Sequence, residues 1–139
     1  MANTHDALTE DPATNPGPTL TTYYNGACPV CRTEIRHYEK VATARGSKNL
    51  VWRDIATDDA ALAELGLDRE AAKRRLHVID RDGRLHTGID AMIAVWRSVP
   101  GYGWLATIVS LPLMHGCAAR VYDHLVAPAL YGWNRRNGR

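Results

Sequence analysis

The segment Leu20–Cys31 reads LTTYYNGACPVC and decides how the fold begins. Its first five residues are mostly β-branched or aromatic, a composition typical of a buried strand. Asn25 and Gly26, which both tolerate a positive φ, end that strand in a turn. From Pro29 onward apolar residues recur at helical spacing as far as Gly46, where we expect the helix to end. The segment therefore predicts a strand that turns directly into an amphipathic helix.

Two cysteines stand at the start of this helix in the pattern C-x-x-C. The pattern predicts Cys28 at the N-cap and Pro29 at position N1, where a proline suits the first helical turn. Unpaired N–H groups and the helix dipole favour a thiolate at that end, and they lower a cysteine pKa from ~8.5 to about 3.5–7.5. Arg32, one turn along, is expected to support the anion. Cys28 is therefore the predicted nucleophile.

Cys31 is predicted to face the core and to act as the resolving thiol. In the implied cycle Cys28 attacks a substrate disulfide, Cys31 releases the reduced product, and an external reductant restores the dithiol. Asn25 and Gly26 would support the reaction by positioning Cys28. The cycle needs no cofactor, and its substrate is a disulfide of a protein or of a low-molecular-weight thiol. The predicted enzyme is an oxidoreductase of the protein-disulfide reductase type.

Two other interpretations of the cysteine pair are possible. A structural zinc site needs two further ligands, but the chain has no second C-x-x-C and no H-x₃₋₅-H pair, so no metal is expected. Alternatively, the two thiols are buried and behave as small apolar side chains. A strand followed by C-x-x-C and a helix favours redox chemistry over both. Cys117 has no partner in the sequence, and we interpret it as a helix-packing residue.

The pattern of the following segments predicts an α/β domain. Asp82 and Gly83 favour a tight hairpin turn between two short strands. The expected elements are a strand at 50–55, one helix or two short ones at 57–65 and 68–75 on either side of Gly66, hairpin strands at 76–80 and 85–87, and a helix at 90–99. The order βαβαββα predicts a four-stranded mixed sheet covered by helices, with a right-handed first crossover. This is the order of a thioredoxin-like fold.

The C-terminal third adds apolar helical segments at 104–111 and 118–131. Three arrangements are open to these extra helices: packing on the sheet, covering the cysteine site, or presenting an apolar face to a membrane or partner. Packing is expected, because apolar helical faces usually belong to the core. The most apolar stretch, 104–114, is shorter than the ~20 residues that span a membrane, and Pro112 interrupts it. Membrane association is not expected.

The N-terminal residues and the overall charge complete the prediction. Residues 1–18 are polar, proline-containing and without periodicity, so we expect a disordered leader followed by one domain at 19–139. They lack the basic and apolar regions of a signal peptide, which makes the cytoplasm the expected location. The chain carries 17 Lys and Arg against 15 Asp and Glu without long runs of one sign, so no nucleic-acid partner is expected.

Four blocks of the sequence carry a family resemblance: YNGACPVC at 24–31, RDIA at 53–56, LHVIDRDG at 76–83 and GIDA at 88–91. With this spacing they resemble the DCC family of predicted thiol-disulfide oxidoreductases. The resemblance extends from about Leu20 to Arg136. It implies a thioredoxin-like fold and a thiol–disulfide exchange reaction.

The chain departs from the related patterns at two places. The family pattern is D-G-x-C-x-x-C, and Asn25 stands at the Asp position, where a carboxylate would accept protons from the resolving thiol. Thioredoxins generally place a cis-proline just before the third strand, but residues 73–77 contain no proline. These departures support an alternative function, a non-catalytic thioredoxin-like binding or assembly module that has kept the cysteines and lost turnover.

Overall fold

The computed structural model describes residues 20–47 and 49–139, and the predicted leader at 1–18 lies outside the described residues. The predicted βαβαββα order is confirmed, with a pair of short helices at the second helical position. The elements are β1 (Leu20–Tyr24), α1 (Pro29–Ala44), β2 (Leu50–Asp54), α2 (Asp59–Leu65), α3 (Arg69–Lys73), β3 (His77–Asp80), β4 (Leu85–Thr87), α4 (Ile89–Ser98), α5 (Gly103–Val109), α6 (Pro112–Val121), a π-helical segment (Tyr122–Val126) and α7 (Ala127–Arg136).

The four strands form one mixed sheet in the order β2-β1-β3-β4. β1 pairs in parallel with β2, which brings Tyr24 beside Asp54 at the carboxyl ends of the two strands. β3 pairs antiparallel with both β1 and β4, and Gly83 in the hairpin turn has a φ of 80°. The predicted hairpin is confirmed. The carboxyl ends of β1 and β2 meet at one edge of the sheet, and the cysteine turn follows there.

Apolar side chains cover both faces of the sheet because successive strand residues point to opposite sides. The cluster that includes α1 and α4 consists of Leu20, Ile35, Tyr38, Val78, Ala91, Val95 and Val99. The cluster that includes α2 and α3 consists of Tyr23, Ile55, Ala61, Leu65 and Ala72. Val78 and Val95 have no exposed surface. Burial of each stabilises the fold by about 1.5–3 kcal/mol.

Helix caps explain why α2 and α3 are two separate helices. The Asp58 carboxylate accepts the Ala61 N–H at 3.1 Å at the start of α2. Gly66 ends α2 in the left-handed conformation with a φ of 74°, which a glycine adopts without steric cost. The Asp68 carboxylate then accepts the Ala71 N–H at 2.7 Å and starts α3.

The C-terminal helix is longer than predicted and contains an irregular turn. It begins at Pro112 and continues through the π-helical segment to Arg136, whereas the sequence pattern predicts 118–131. Pro128 explains the irregularity, since a proline inside a helix has no N–H to donate and its ring clashes with the preceding turn. The wider π turn lies immediately before this proline and accommodates it.

The prediction that the C-terminal segments pack on the sheet is wrong for α5 and α6, which lie against other helices. α5 lies against α4, and α6 contacts α4 and α5. α6 buries no residue, and large apolar side chains such as Leu113 and Leu125 are 79% and 65% exposed.

Within 20–47 and 49–139 no single helix is long and apolar enough to cross a membrane. α5 together with the helix from Pro112 to Arg136 meets that criterion, with a bend of 95° between them.

Candidate active site at the cysteine pair

The turn that carries the cysteines is held by the last residue of β2. The Gly26 N–H donates to Asp54 Oδ1 at 2.8 Å, and the Ala56 N–H donates to the same oxygen at 2.9 Å. A Cβ atom on Gly26 would lie 1.9 Å from Asp54 Oδ2, so the carboxylate leaves room only for glycine. The turn does not use the positive φ that Asn25 and Gly26 tolerate, because neither is among the described residues with φ > 0.

Asn25 completes the turn through its side chain and its backbone. Its Oδ1 accepts the Ala27 N–H at 3.1 Å, and its carbonyl accepts the Cys28 N–H at 3.1 Å. Only 7% of Asn25 is exposed. The side-chain amide at the family's Asp position therefore shapes the backbone that presents Cys28. An amide does not titrate near neutral pH, so it does not accept a proton from a thiol.

Cys28 is the N-cap of α1, as the sequence predicts. Its φ and ψ of −77° and 118° are extended, its Sγ accepts the Cys31 N–H at 3.3 Å, and Pro29 occupies the first helical turn. No part of Cys28 is exposed to solvent. The sulfur is thus fixed at the positive end of the helix dipole and is shielded from solvent.

Hydrogen bonds favour the thiolate of Cys28 over its thiol. Burial acts to raise the pKa of Cys28, but bonds from the Cys31 thiol and the Cys31 N–H act against it. The Asn134 side chain and the Val30 N–H add to this effect, so that the pKa of Cys28 lies below its ordinary value. A thiolate is the nucleophilic form in thiol–disulfide exchange.

Cys31 has the opposite electrostatic character. Burial, the hydrogen bond to Cys28 and the negative charges of Cys28 and Glu34 raise the pKa of Cys31 far above its ordinary value. The prediction that Cys31 faces the core is met only in part, since the residue is half-buried and lines a cavity. Both cysteines are free thiols in this structure. The two environments therefore differ: that of Cys28 favours the thiolate, and that of Cys31 favours the protonated thiol.

The C-terminal helix α7 covers the cysteine pair. Its Asn134 side chain lowers the pKa of Cys28, and only 5% of Asn134 is exposed. The buried Asn134 Oδ1 has no hydrogen-bond partner among the described residues. Of the three arrangements open to the C-terminal segments, α7 therefore adopts the one that covers the site.

A cavity of about 220 Å³ lies between Cys31, the chain just before β3 and α7. Its walls are mostly apolar or aromatic, and they carry a few polar groups. Lining residues from each side are Tyr24, Cys31, Trp96, Leu130, Tyr131 and Asn134. A mostly apolar pocket with a few convergent polar groups is the usual form of a small-molecule site.

The π-helical segment anchors the C-terminal helix to the chain just before β3. The Leu76 N–H donates to Tyr122 Oη at 3.0 Å, and Arg75 pairs with Asp123 at 2.9 Å. The structure has no cis peptide bond in the described ranges. Where thioredoxins place a cis-proline, this chain has a trans peptide whose N–H is bound by a tyrosine from the C-terminal helix.

Glu34 is a carboxylate near Cys31 that the sequence analysis does not identify. It lies one turn after Cys31 on α1, lines the same cavity and raises the pKa of that thiol. Tyr38 Oη donates to Glu34 Oε1 at 2.8 Å, and Trp96 Nε1 donates to Tyr38 Oη at 3.1 Å. The spacing of three residues along a helix is a signal that can place Glu34 beside Cys31 from sequence alone.

Three other residues differ from what the sequence indicates. Arg32 is exposed, and no described contact joins it to Cys28. Cys117 is also exposed, so the prediction that it packs between helices is wrong. Asp54 lies within a block that the sequence analysis quotes, but nothing in that block indicates its contact with Gly26. Among the described residues, no group of three His, Cys, Asp or Glu side chains is placed to hold a metal ion.

The sheet order and the cysteine pair at the start of α1 together define a thioredoxin-like domain with a redox-type C-x-x-C site. The chain belongs to the DCC1-like thiol-disulfide oxidoreductase family, whose model matches residues 22–136. The match covers every described strand and helix except the first two residues of β1.

A curated relative is known from a plant. An uncharacterized chloroplastic protein of Arabidopsis thaliana is 30% identical over 101 residues, which is 72% of this chain and 46% of that protein. The chain therefore spans just under half the length of this relative. No solved structure matches the chain.

Proposed function

We propose that this chain is a thiol–disulfide oxidoreductase in which Cys28 is the nucleophile and Cys31 the resolving thiol. The observation that carries the proposal is the unequal environment of the two sulfurs. Cys28 Sγ accepts hydrogen bonds at the N-cap of α1, which lowers its pKa, while burial raises the pKa of Cys31. An attacking thiol must lose its proton before the reaction, whereas a resolving thiol keeps its proton until the mixed disulfide forms.

The reaction balances without a cofactor. The Cys28 thiolate attacks one sulfur of the substrate disulfide, forms a mixed disulfide and expels the other half as a thiolate. Cys31 gives up its proton, attacks the Cys28 sulfur and expels the second half. The pair is oxidised by two electrons and the substrate disulfide is reduced to two thiols. An external dithiol then reduces the Cys28–Cys31 disulfide.

Glu34 is the group that we assign to the Cys31 proton. The family's Asp position holds Asn25, which cannot titrate, but Glu34 lines the cavity on the same helix as Cys31. A carboxylate next to a resolving thiol accepts its proton as the thiol attacks. Replacement of Glu34 by Gln should slow the second step, so that a mixed disulfide with Cys28 accumulates and is visible by mass spectrometry.

The redox equilibrium of the purified chain tests the proposed function. The protein is held in graded glutathione buffers, free thiols are trapped by alkylation, and mass spectrometry locates them at Cys28, Cys31 and Cys117. A reversible two-electron transition confined to Cys28 and Cys31 would support the oxidoreductase and give its potential, hence its direction. The Cys117→Ser variant is the matched control and should show the same transition.

A non-catalytic binding or assembly module is the second candidate. The complete burial of Cys28 favours it, because a substrate disulfide cannot reach a sulfur that remains covered. In that case both thiols would stay reduced in strongly oxidising buffer, and a Cys28→Ser variant would keep its partner. An oxidoreductase would lose its activity with the same substitution. The cytoplasmic location stays a prediction of the sequence.

A further inference from the structure

We propose that the cavity beside Cys31 binds a low-molecular-weight disulfide that carries a carboxylate and an amide N–H, and that such a molecule is the preferred substrate. This inference rests on the proposed oxidoreductase function and names its substrate class. Four features of the described residues support it: a blocked backbone edge, an unpaired buried acceptor, basic side chains at the cavity and the cavity's size.

The backbone next to the cysteine pair is not available to an extended protein segment. Protein segments that bind in extended form gain affinity from main-chain hydrogen bonds to an exposed backbone edge. Here the N–H of Leu76, just before β3, is already bound to Tyr122 Oη at 3.0 Å. Asp123, the next residue, pairs with Arg75 and holds the helix over this edge. Protein disulfides therefore lack the contact that would position them.

Asn134 leaves an acceptor that a ligand can satisfy. Its Oδ1 is buried and has no hydrogen-bond partner within the described ranges. A buried acceptor without a donor costs free energy, and a ligand N–H that binds it recovers that cost. Asn134 also lines the cavity together with Cys31, and its side chain lowers the pKa of Cys28. A ligand whose amide N–H binds Asn134 Oδ1 is therefore held beside the cysteine pair.

Basic side chains give the cavity a positive character. Lys73, Arg74 and Arg75 line it together with one carboxylate, that of Glu34. Arg75 is engaged by an aspartate of the C-terminal helix. The guanidinium of Arg74 lies over the Tyr131 ring, 4.7 Å from its centroid. A stacked guanidinium still presents N–H groups in its own plane, which suit a carboxylate.

The volume of the cavity fits a small molecule. About 220 Å³ with mainly apolar walls is below the ~300–1,000 Å³ of drug-sized pockets and takes one half of a small disulfide. The other half would extend past the exposed side chains of Glu34 and Arg74. In the reaction Asn134 swings away from Cys28, whose thiolate attacks the ligand disulfide and expels one ligand thiolate. Cys31 then attacks Cys28 and releases the second ligand thiol.

Single-turnover oxidation of the reduced full chain tests this inference. Four disulfides serve as probes: oxidised glutathione with carboxylates and amides, bis(2-hydroxyethyl) disulfide with neither, cystamine with cationic groups, and insulin as a protein disulfide. Each rate is divided by the rate of the same disulfide with dithiothreitol, which removes differences in intrinsic reactivity. The variants are Arg74→Gln and the matched control Arg81→Gln, which alters an exposed arginine in the hairpin turn.

Oxidised glutathione should give the highest normalised rate and cystamine the lowest. Arg74→Gln should lower the rate with oxidised glutathione by about tenfold, the factor that corresponds to ~1.4 kcal/mol, and leave the neutral disulfide unaffected. Arg81→Gln should change neither rate. The substrate class is wrong, while the oxidoreductase stands, if insulin oxidises the pair as fast as oxidised glutathione does. The same holds if Arg74→Gln slows oxidation by oxidised glutathione and by bis(2-hydroxyethyl) disulfide equally. If no disulfide oxidises the pair, the proposed function fails as well.

Discussion

Replacement of Gly26 by alanine tests whether the contact with Asp54 holds the cysteine turn. The new methyl group would lie 1.9 Å from Asp54 Oδ2 and 2.3 Å from Asp54 Cγ, far inside van der Waals contact. Gly26 does not have a positive φ, so the backbone itself would not be strained. The carboxylate must therefore move, and it can do so only by giving up the N–H groups of Gly26 and Ala56.

The expected cost follows from these two hydrogen bonds. A bond from a backbone N–H to a charged acceptor contributes about 1.5–3 kcal/mol, and the acceptor Asp54 is half-buried, so that water replaces some of the loss. We expect Gly26→Ala to lower the free energy of unfolding by about 2–4 kcal/mol. For a domain of this size the melting temperature should fall by roughly 10 °C.

Urea unfolding of the reduced protein is the assay, and Gly116→Ala is the matched control. Gly116 lies inside α6 with no atom within 4 Å of an added Cβ and no positive φ. A glycine inside a helix costs about 0.5–1 kcal/mol relative to alanine, so this variant should become more stable. The same chemical change should thus have opposite signs at the two positions.

A double-mutant cycle with Asp54→Ala gives the decisive comparison. Removal of the carboxylate alone costs the same two hydrogen bonds, but it also makes room for a methyl group on Gly26. The double variant should therefore be about as stable as Asp54→Ala alone, which is a coupling of about 2–4 kcal/mol. Additive losses, or a Gly26→Ala variant as stable as the wild type, would refute the proposed role of the Asp54 contact.

Three further predictions concern the cysteine and the helix that covers it. Asn134→Leu removes the side-chain amide that lowers the pKa of Cys28, so this pKa should rise and alkylation of Cys28 by iodoacetamide should require higher pH; an unchanged pH profile would contradict this effect of Asn134. Tyr122→Phe leaves the Leu76 N–H without its acceptor and should lower the free energy of unfolding by about 1–2 kcal/mol in urea, while a variant of wild-type stability would show that the bond contributes nothing. The pKa of Cys28 is lower in the folded protein than in the unfolded chain, where it is ~8.5. The Cys28 thiolate therefore stabilises the reduced protein fully above pH ~8.5, and this stabilisation is lost as pH falls through the folded-state pKa. Stability measured by urea unfolding should therefore rise with pH in this window, and Cys28→Ser should remove that rise; an equal rise in the variant would assign it to another group.

Local patterns predict most of the elements because each pattern acts within a few residues. The strand–turn–helix at Leu20–Cys31 follows from β-branched and aromatic residues, a turn dipeptide and a proline at the first helical turn. The hairpin follows from Asp82 and Gly83 between two short strands. The ends of the C-terminal helix are predicted less well, since the effect of Pro128 depends on whether a π turn forms before it.

The sequence by itself determined the class of the protein and the position of the C-x-x-C pair at the start of a helix. The order of strands and helices defines the sheet, and C-x-x-C after a strand places one cysteine at a helix N-cap, because both depend on short-range periodicity and capping. Tertiary structure alone decided what surrounds that pair. Asp54 beneath Gly26, Tyr122 on Leu76 and Asn134 over Cys28 are contacts between segments far apart in the chain, which short-range patterns do not encode. The position of Asn134 beside Cys31 at the cavity is therefore a property of the tertiary structure.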